Sequence, residues 1–236
     1  MVAMMRINLT DDLLVIYNAL RSAFGHQHWW PAETPFETMI GAILTQNVSW
    51  TNAAQAVRNL DEAGLLDPHA LAAAKTSEIA RLIVPSRYYN QKAERIREFS
   101  RVYVAEFAAD PAAMAAVDTD LLRRRLLAIR GLGKETVDTI LLYACEKPVF
   151  VVDAYTRRVF SRYGLLPEDA SYDRTQRLFA ENLEPDVELF NDYHAQIVHL
   201  GKTICRKSPL CDRCPIREVR ETLCCEKTVS LAAGNP

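Results

Sequence analysis

The stretch Leu126-Leu-Ala-Ile-Arg-Gly-Leu-Gly-Lys-Glu-Thr136 decides the fold, because one helix ends in it and another begins a few residues later. Gly131 and Gly133 flank a single apolar residue there. Glycine permits a positive φ and the close approach of a flat partner, and the free N–H groups at a helix start can bind an anion such as phosphate. A tight turn between two packed helices is the simpler alternative. The apolar residues on both sides and the immediate restart of the helix favour an anion-binding hairpin over 126–145.

Helical spacing of apolar residues continues outward from this hairpin over most of the chain. After Thr10, for example, Leu13, Ile16 and Leu20 recur at the intervals of a buried helix face. The run Pro148–Val152 is the only strand-like segment, and since no partner strand lies nearby we expect a buried connector. The sequence therefore predicts an all-α fold. The other helices are predicted at about 35–48, 51–63, 76–84, 90–108, 119–128, 133–145, 154–163, 171–182 and 186–203.

The composition limits the classes of protein to consider. The chain has 236 residues, of which 49% are hydrophobic, and this is enough for one domain or two small ones. Its net charge of −2 lacks the basic excess typical of nucleic-acid-binding proteins, although binding depends on where charges lie and not on their sum. There is no apolar run of about 18 residues and no signal-peptide layout in the first residues. We therefore expect a cytoplasmic protein without a membrane span.

Asp153 follows the apolar connector and directly precedes the helix predicted at 154–163. Aspartate is among the residues that most often cap the start of a helix, because its side chain accepts a hydrogen bond from a free backbone N–H group. On the residues alone, a helix cap is therefore the favoured interpretation of Asp153.

Three segments together resemble a known family. The hairpin, the run Val151-Val152-Asp153 and the segment Tyr89-Asn90-Gln91-Lys92-Ala93 are similar to the helix-hairpin-helix DNA glycosylases, the superfamily of endonuclease III. The resemblance covers roughly residues 30–225. It implies that the partner is double-stranded DNA containing a damaged base, and we expect a monomer.

The resemblance also implies two α-helical lobes. One is a six-helix bundle of about residues 34–147 that ends in the hairpin. The other combines residues 1–33 with 148–236 and holds a metal loop at 205–225. The hairpin and Asp153 then lie at the lobe boundary, where sites commonly form.

Catalysis by Asp153 is implied by the resemblance and is compatible with a capping role. Cleavage of an N-glycosidic bond builds positive charge on the sugar, which a nearby carboxylate stabilises. Bifunctional members of the family carry a lysine nucleophile at the position of Glu135, whereas this chain has Lys134 one residue earlier, about 100° away around a helix. We therefore predict a monofunctional enzyme. Glu135 either faces the pocket or is a solvated residue at a helix start, and Lys134 meets phosphate or solvent.

Trp29, Trp30 and Trp50 are the three tryptophans of the chain. Their places before and after the helix predicted at 36–48 resemble those in the 3-methyladenine DNA glycosylase III branch of the superfamily, with which Glu135 also agrees. The resemblance implies that one of the two early tryptophans and Trp50 hold a flipped base between them. Aromatic faces also attract the positive charge of an alkylated purine. The alternative is that the tryptophans only fill a core.

Five further residues are candidate DNA contacts by the same resemblance. Gln46 and Asn47 belong to a segment that replaces the flipped base in the duplex, although polar residues at a helix end often only cap it. Tyr88 matches a wedge on the opposite strand. Arg87 and Lys92 are candidate phosphate contacts, and so is Lys134.

Five of the six cysteines lie between residues 205 and 225, and in a reducing compartment this clustering indicates a metal site. Four thiolates suit a [4Fe–4S] cluster or a structural zinc. The family pattern C-x6-C-x2-C-x5-C implies the iron–sulfur cluster, but this chain departs from it in the first and last gaps. The fourth ligand is then Cys224 or Cys225, and an empty site is the remaining alternative. The other candidate ligands are Cys205, Cys211 and Cys214. Arg206 and Lys207 within the loop are candidate phosphate contacts.

The predicted function is removal of an alkylated or otherwise damaged purine from duplex DNA by hydrolysis. One alternative is a bifunctional endonuclease III-like glycosylase and lyase for oxidised pyrimidines. Another is a DNA-damage-binding protein without catalysis, against which Asp153 argues. Cys145 is expected to be an inert core thiol, and His194 and His199 are expected to be structural.

Overall fold

The computed structural model describes residues 9–219, and all the regular structure in this range is helical. The all-α prediction is confirmed, and Phe150, Val151 and Val152 form a buried connector without a strand. None of the described helices is both long and apolar enough to cross a membrane. The α-helices of residues 9–219 are α1 (Leu9–Phe24), α2 (Pro35–Leu44), α3 (Trp50–Glu62), α4 (Pro68–Ala73), α5 (Thr76–Leu82), α6 (Tyr89–Phe107), α7 (Pro111–Ala115), α8 (Thr119–Ala128), α9 (Lys134–Tyr143), α10 (Ala154–Tyr163), α11 (Tyr172–Ala180) and α12 (Val187–Thr203).

Side-chain caps start most of these helices. Eight begin after a Ser, Thr or Asp whose side chain accepts a hydrogen bond from the first turn. The short helices α4 and α7 were not predicted, yet each starts with a capping aspartate and a proline, at Asp67-Pro68 and Asp110-Pro111. Proline suits the first helical position, where its missing N–H costs nothing. The Asp-Pro dipeptide was therefore the feature of the sequence from which both helices could have been predicted.

The chain divides into two compact units. The hairpin unit comprises residues 30–149 and contains α2–α9, which is eight helices where six were expected. The long helix α6 packs against α4 and α5, while α2 packs against α3 and α9. Their contacts bury an aliphatic core, of which Ile40, Ile96 and Leu141 are fully buried. Cys145 belongs to this core, and burial raises the pKa of its thiol to about 12.

The cysteine unit comprises residues 9–29 and 150–219 and contains α1 and α10–α12. Helix α12 packs against both α1 and α10. The core is aromatic: the rings of Phe150 and Phe179 are stacked with centroids 3.7 Å apart, and Tyr193 meets Phe179 edge-on at 5.7 Å. Such contacts add to the burial of large side chains and hold the connector that leads to Asp153 in place.

Candidate functional site

The two glycines of the hairpin have different structural requirements. Gly131 has a φ of +90°, and a Cβ there would overlap the side chain of Arg95. Gly133 is the N-cap of α9 with a φ of −90°, and a Cβ there would point into open space. No side chain caps this helix start. The start of α9 is therefore sterically accessible at Gly133, and of the two glycines only Gly131 is required by its backbone conformation and packing.

The hairpin is held by a polar network in which Gln46 is central. The Gln46 amide nitrogen donates to the Gly131 carbonyl at 3.2 Å and to the Thr136 hydroxyl at 2.8 Å, while Arg95 donates to the Gln46 side-chain oxygen at 2.5 Å. All three contacts lie within the hairpin unit, and the role of Gln46 in the duplex stays a prediction. Its neighbour Asn47 is exposed with a φ of +54°.

An ion pair joins the two hairpin helices. Arg123 on α8 donates to both carboxylate oxygens of Asp138 on α9, at 2.6 and 2.9 Å. Asp138 is fully buried. In the first turn of α9, Lys134 and Glu135 are both exposed. An acidic residue there is favoured by the helix dipole, and Glu135 is the acidic residue of that turn.

Three half-buried aromatic residues form a cluster in the hairpin unit. The rings of Trp30 and Trp50 have centroids 4.9 Å apart at 84°, and Tyr143 lies 5.5 Å from Trp30. Rings in edge-to-face contact leave no parallel slot between Trp30 and Trp50 in this structure, and the sandwich stays a prediction. Tyr143 was missed by sequence reasoning, because nothing in its local pattern distinguishes it from a core residue of α9.

Trp29 has a different environment from the tryptophan that follows it. It belongs to the cysteine unit, where the ammonium of Lys202 lies 5.7 Å from the centre of its ring. It also lines a cleft of about 490 Å³ with Arg21 and His26. The sequence left open which early tryptophan partners Trp50, and within the hairpin unit Trp30 contacts it.

Arg87 and Tyr88 form an exposed, strained turn before α6. Both have positive φ values, +56° and +44°, which non-glycine residues adopt at a cost of about 1–3 kcal/mol. Tyr88 is 62% exposed, unusually high for so large an aromatic side chain. Such strain is concentrated at sites that contact ligands.

Lys92 is not a phosphate contact, which corrects the prediction from sequence. The residue is 1% exposed, and its ammonium donates to the carbonyls of Leu44, at 2.7 Å, and Ser86, at 2.5 Å. Burial, with a smaller contribution from the Arg95 charge, lowers the pKa of Lys92 to about 8. The lysine therefore ties the end of α2 to the turn before Tyr88.

Asp153 is both a helix cap and a buried acid. One oxygen, Oδ1, accepts from the Thr156 backbone at 2.7 Å and from its hydroxyl at 2.9 Å. The other oxygen, Oδ2, lies 3.8 Å from His194 Nε2. Burial alone would raise the pKa of Asp153, but His194 and Thr156 outweigh it and hold the pKa below its ordinary value. The group is therefore a carboxylate at neutral pH.

His194 is buried and lies beside Asp153, 41 positions away in sequence, so no local signal predicted the pairing. His199, on the same helix, packs against the ring of Phe24 at 4.5 Å.

Three cysteines line one cavity in the cysteine unit. Cys205, Cys211 and Cys214 face it together with Arg162, and none of these three cysteines forms a disulfide within residues 9–219. Burial raises the pKa of Cys214, and the neighbouring thiols raise it further. Within residues 9–219 no three potential ligands are arranged closely enough to hold a metal ion. Cys224 and Cys225 lie outside the described residues.

Arg162 organises the loop around this cavity. It donates to the carbonyls of Arg206, at 2.5 Å, and Lys207, at 3.1 Å, and its Nη1 lies 3.6 Å from the Cys205 sulfur. Arg206 and Lys207 are themselves exposed. Thiols are the ligands of iron–sulfur and structural zinc sites, and three of the five cysteines predicted as candidate ligands line this cavity.

Comparisons with known proteins agree with the fold. The H. pylori 3-methyladenine DNA glycosylase bound to 1,N6-ethenoadenine superposes with a TM-score of 0.72 at 27% identity, over 83% of this chain and 98% of that one. An endonuclease III–DNA complex superposes with a TM-score of 0.78 over 94% of this chain and 98% of that one. At 20% identity, that second likeness shows the fold alone.

Sequence relatives give the family. A Methanocaldococcus jannaschii protein whose name assigns it to the DNA repair glycosylases is 44% identical over 91% of this chain and 98% of its own length. Endonuclease III of Sulfolobus acidocaldarius is 32% identical over 78% of this chain and 80% of its own length. The family described as HhH-GPD superfamily base excision DNA repair proteins matches residues 40–185. The chain therefore belongs to the HhH-GPD superfamily of base excision DNA repair proteins.

Proposed function

We propose that this protein is a monofunctional DNA glycosylase that hydrolyses the N-glycosidic bond of a damaged purine in duplex DNA. The observation that carries the proposal is Asp153, a buried acid that is held ionised and has one oxygen, Oδ2, outside the helix cap. A buried charge is costly unless its surroundings stabilise it. A site that keeps a buried carboxylate ionised suits a reaction that develops positive charge.

Asp153 acts mainly by electrostatic stabilisation. As the bond to the base lengthens, positive charge builds on the sugar, and a fixed carboxylate lowers the energy of that state. A carboxylate whose pKa is held below its ordinary value is a weak base, so proton abstraction from water is a smaller contribution. Orientation of the attacking water by Oδ2 fits the same geometry.

The first turn of α9 supports hydrolysis without a lyase step. Glu135 occupies the position at which the bifunctional relatives carry a lysine, and a carboxylate cannot form a Schiff base. Lys134 is exposed at the helix start, where a phosphate contact suits it. The relatives named endonuclease III favour a second candidate, a bifunctional glycosylase and lyase for oxidised pyrimidines.

The cluster of Trp30, Trp50 and Tyr143 is the proposed base pocket. The H. pylori relative that was solved with a modified adenine supports a purine substrate. Because the two tryptophans meet edge-on, a flipped base stacks against an outer face of one ring, or Trp30 rotates to admit it. An alkylated purine is positively charged and is therefore attracted by these faces.

The proposed DNA contacts follow from exposure and backbone geometry. The start of α9 after Gly133 binds phosphate, and the exposed side chains of Asn47 and Tyr88 reach into the duplex. Arg87, Arg206 and Lys207 are exposed cations available to the backbone. Phosphate contacts of this kind position the protein without reading sequence.

We further propose that Cys205, Cys211 and Cys214, with Cys224 or Cys225, hold a [4Fe–4S] cluster. The cluster would act as a structural cross-link, since loop residues 205–214 contain little regular structure. Iron and sulfide analysis of protein purified without oxygen tests this, with zinc content as the competing result. Loss of iron in Cys224→Ser but not in Cys225→Ser, or the reverse, identifies the fourth ligand.

The function is tested with a panel of duplexes that each carry one lesion, comparing the wild type with Asp153→Asn. We expect strand cleavage only after alkali, which opens abasic sites, and only with the wild type. Breaks without alkali, together with borohydride trapping on an abasic duplex, would support the bifunctional candidate. Tight binding of damaged duplexes without release of any base would contradict both catalytic proposals.

A further inference from the structure

Lys202 is a charged group near Asp153 that the proposed mechanism does not use. It lies in the last turn of α12, about 12 Å along the helix from His194. Gly201 brings this turn against α10, since a Cβ there would lie only 2.5 Å from Cδ1 and 2.8 Å from Cβ of Tyr155. Tyr155 is the second residue of the helix that Asp153 caps. The close packing therefore sets Lys202 at the capped end of α10.

The ammonium of Lys202 is positioned but not neutralised by a partner. It lies 5.7 Å from the centre of the Trp29 ring, a cation–π contact. Within residues 9–219 the Lys202 side chain makes no hydrogen bond and no close ion pair. The residue is exposed, so an anion in solution can reach it. Partial burial of the ammonium lowers the pKa of Lys202, and the Asp153 carboxylate opposes that effect. Another anion at this place would stabilise the charge further.

We propose that Lys202 binds a phosphodiester group of the nucleotide whose base is removed. The inference rests on the proposed function, because it takes DNA as the ligand and Asp153 as the group at the reacting sugar. A phosphate that flanks this sugar must approach the Asp153 carboxylate, and two anions repel each other. A cation at the capped end of α10 reduces that repulsion, and lysine is a common phosphate-binding point charge.

Trp29 then has a role different from base stacking. Its ring holds the Lys202 ammonium where the phosphate arrives, so that the side chain loses less conformational freedom on binding. The face of Trp29 beneath the ammonium is occupied by the protein's own cation.

A competing role for Lys202 is attack on the sugar. Its amine nitrogen would form a bond to C1′ of an abasic sugar in the aldehyde form, and loss of water would leave a Schiff base. Borohydride reduces that species to a stable covalent adduct. A phosphate contact gives no such adduct, so trapping separates the two roles.

The proposal is tested by binding of the full chain to a duplex with one tetrahydrofuran abasic analogue over a series of salt concentrations. This ligand has no base to release and no aldehyde to trap, so the measurement does not depend on catalysis. The variants are Lys202→Met and Lys202→Arg. Arg177→Gln is the control, because it removes one exposed positive charge from the same unit, on α11.

We expect Lys202→Met to bind about tenfold more weakly at low salt, and the slope of log K against log salt to become shallower by about 0.9, the value of one phosphate contact. Lys202→Arg and Arg177→Gln should keep the wild-type slope. An unchanged slope in Lys202→Met would overturn the proposal. So would a borohydride adduct on a true abasic duplex that forms with the wild type and disappears in Lys202→Met.

The outcome also separates this inference from the proposed function. A wild type that does not bind the analogue duplex would overturn both. A normal Lys202 effect on the slope, with no base released from any lesion, would support the phosphate contact while the hydrolase proposal fails.

The role of Trp29 is tested by combining Trp29→Leu with Lys202→Met. If Trp29 acts only by holding the Lys202 ammonium, Trp29→Leu has little further effect once Lys202 has been replaced. The two losses of affinity are then less than additive. Fully additive losses would overturn the positioning role of Trp29.

Discussion

Two helix starts in this protein use opposite arrangements. The start of α9, in the hairpin unit, has no side-chain cap, and a Cβ on its Gly133 would meet only open space. The start of α10, in the cysteine unit, is capped by Asp153, which is buried and already carries the negative charge that a helix start favours. One start is suited to bind an external anion, and the other supplies its own. In the proposed function, DNA binding and bond cleavage therefore belong to different helix starts.

The largest expected effect comes from removing the charge at the second start. In Asp153→Asn, the side chain still caps α10, because asparagine is as good a cap as aspartate. The negative charge is lost, and we expect base release under single-turnover conditions to fall on the order of 10³-fold, typical for loss of one electrostatic stabiliser.

The control for this variant is its thermal unfolding and its affinity for duplex DNA, both of which should match the wild type. A variant that folds, binds and still releases base at the wild-type rate would show that Asp153 is only a cap. The two helix starts would then not differ in the way proposed.

The next effect concerns the buried ion pair of the hairpin. Asp138→Ala leaves Arg123 without its bidentate partner between α8 and α9, and we expect the free energy of unfolding to fall by about 3 kcal/mol in a denaturant titration. The matched control is Arg125→Ala, since Arg125 and Glu106 form an exposed pair at 3.6 Å. Such a pair contributes less than about 1 kcal/mol. Equal losses in the two variants would contradict a special role for the buried pair.

Local signals in the sequence were sufficient for one part of the structure. The hairpin, the helix that follows Asp153 and the buried connector were all predicted from glycine spacing, capping and apolar periodicity, which act over a few residues. The same reasoning missed α4 and α7, because their capping aspartates and prolines stand in short alanine-rich segments without a clear periodicity.

Contacts between distant segments could not be predicted in this way. Lys92 resembles a surface cation in sequence, and only the tertiary structure brings the Leu44 carbonyl to its buried ammonium. Trp29 and Trp30 are adjacent in sequence but belong to different units, so their partners depend on the whole fold. The proximity of His194 to Asp153 likewise follows from the packing of α12 on α10.

The two hairpin glycines allow a finer test of the first helix start. Gly131→Ala places a side chain at a φ of +90° and against Arg95, so we expect a loss of about 1–2 kcal/mol in unfolding free energy. Gly133→Ala has an ordinary φ and free space, so stability should change little. Its methyl group nevertheless stands at the start of α9, the proposed phosphate site, and we expect affinity for undamaged duplex DNA to fall.

A Gly133→Ala variant that binds DNA as tightly as the wild type would show that the start of α9 does not contact the phosphate backbone. Loss of stability in both variants to the same extent would contradict the distinction drawn between the two glycines.

The smallest expected effect tests how Asp153, at the start of α10, stays ionised. Oδ1 of Asp153 faces Thr156, Oδ2 faces His194, and the ammonium of Lys202 acts from further along α12. The His194 imidazole beside Oδ2 lowers the pKa of Asp153. In the wild type the carboxylate form persists down to a pKa below the ordinary value, and activity falls as the pH drops through it. Removing the imidazole raises the pKa of Asp153, so the acid limb of the pH–rate profile of His194→Gln should move to higher pH.

His199→Gln is the matched control, since His199 packs on Phe24 and not on Asp153. A lower rate with an unshifted acid limb would make His194 a packing residue, and the low pKa of Asp153 would then have to come from Thr156 and the rest of the α10 start.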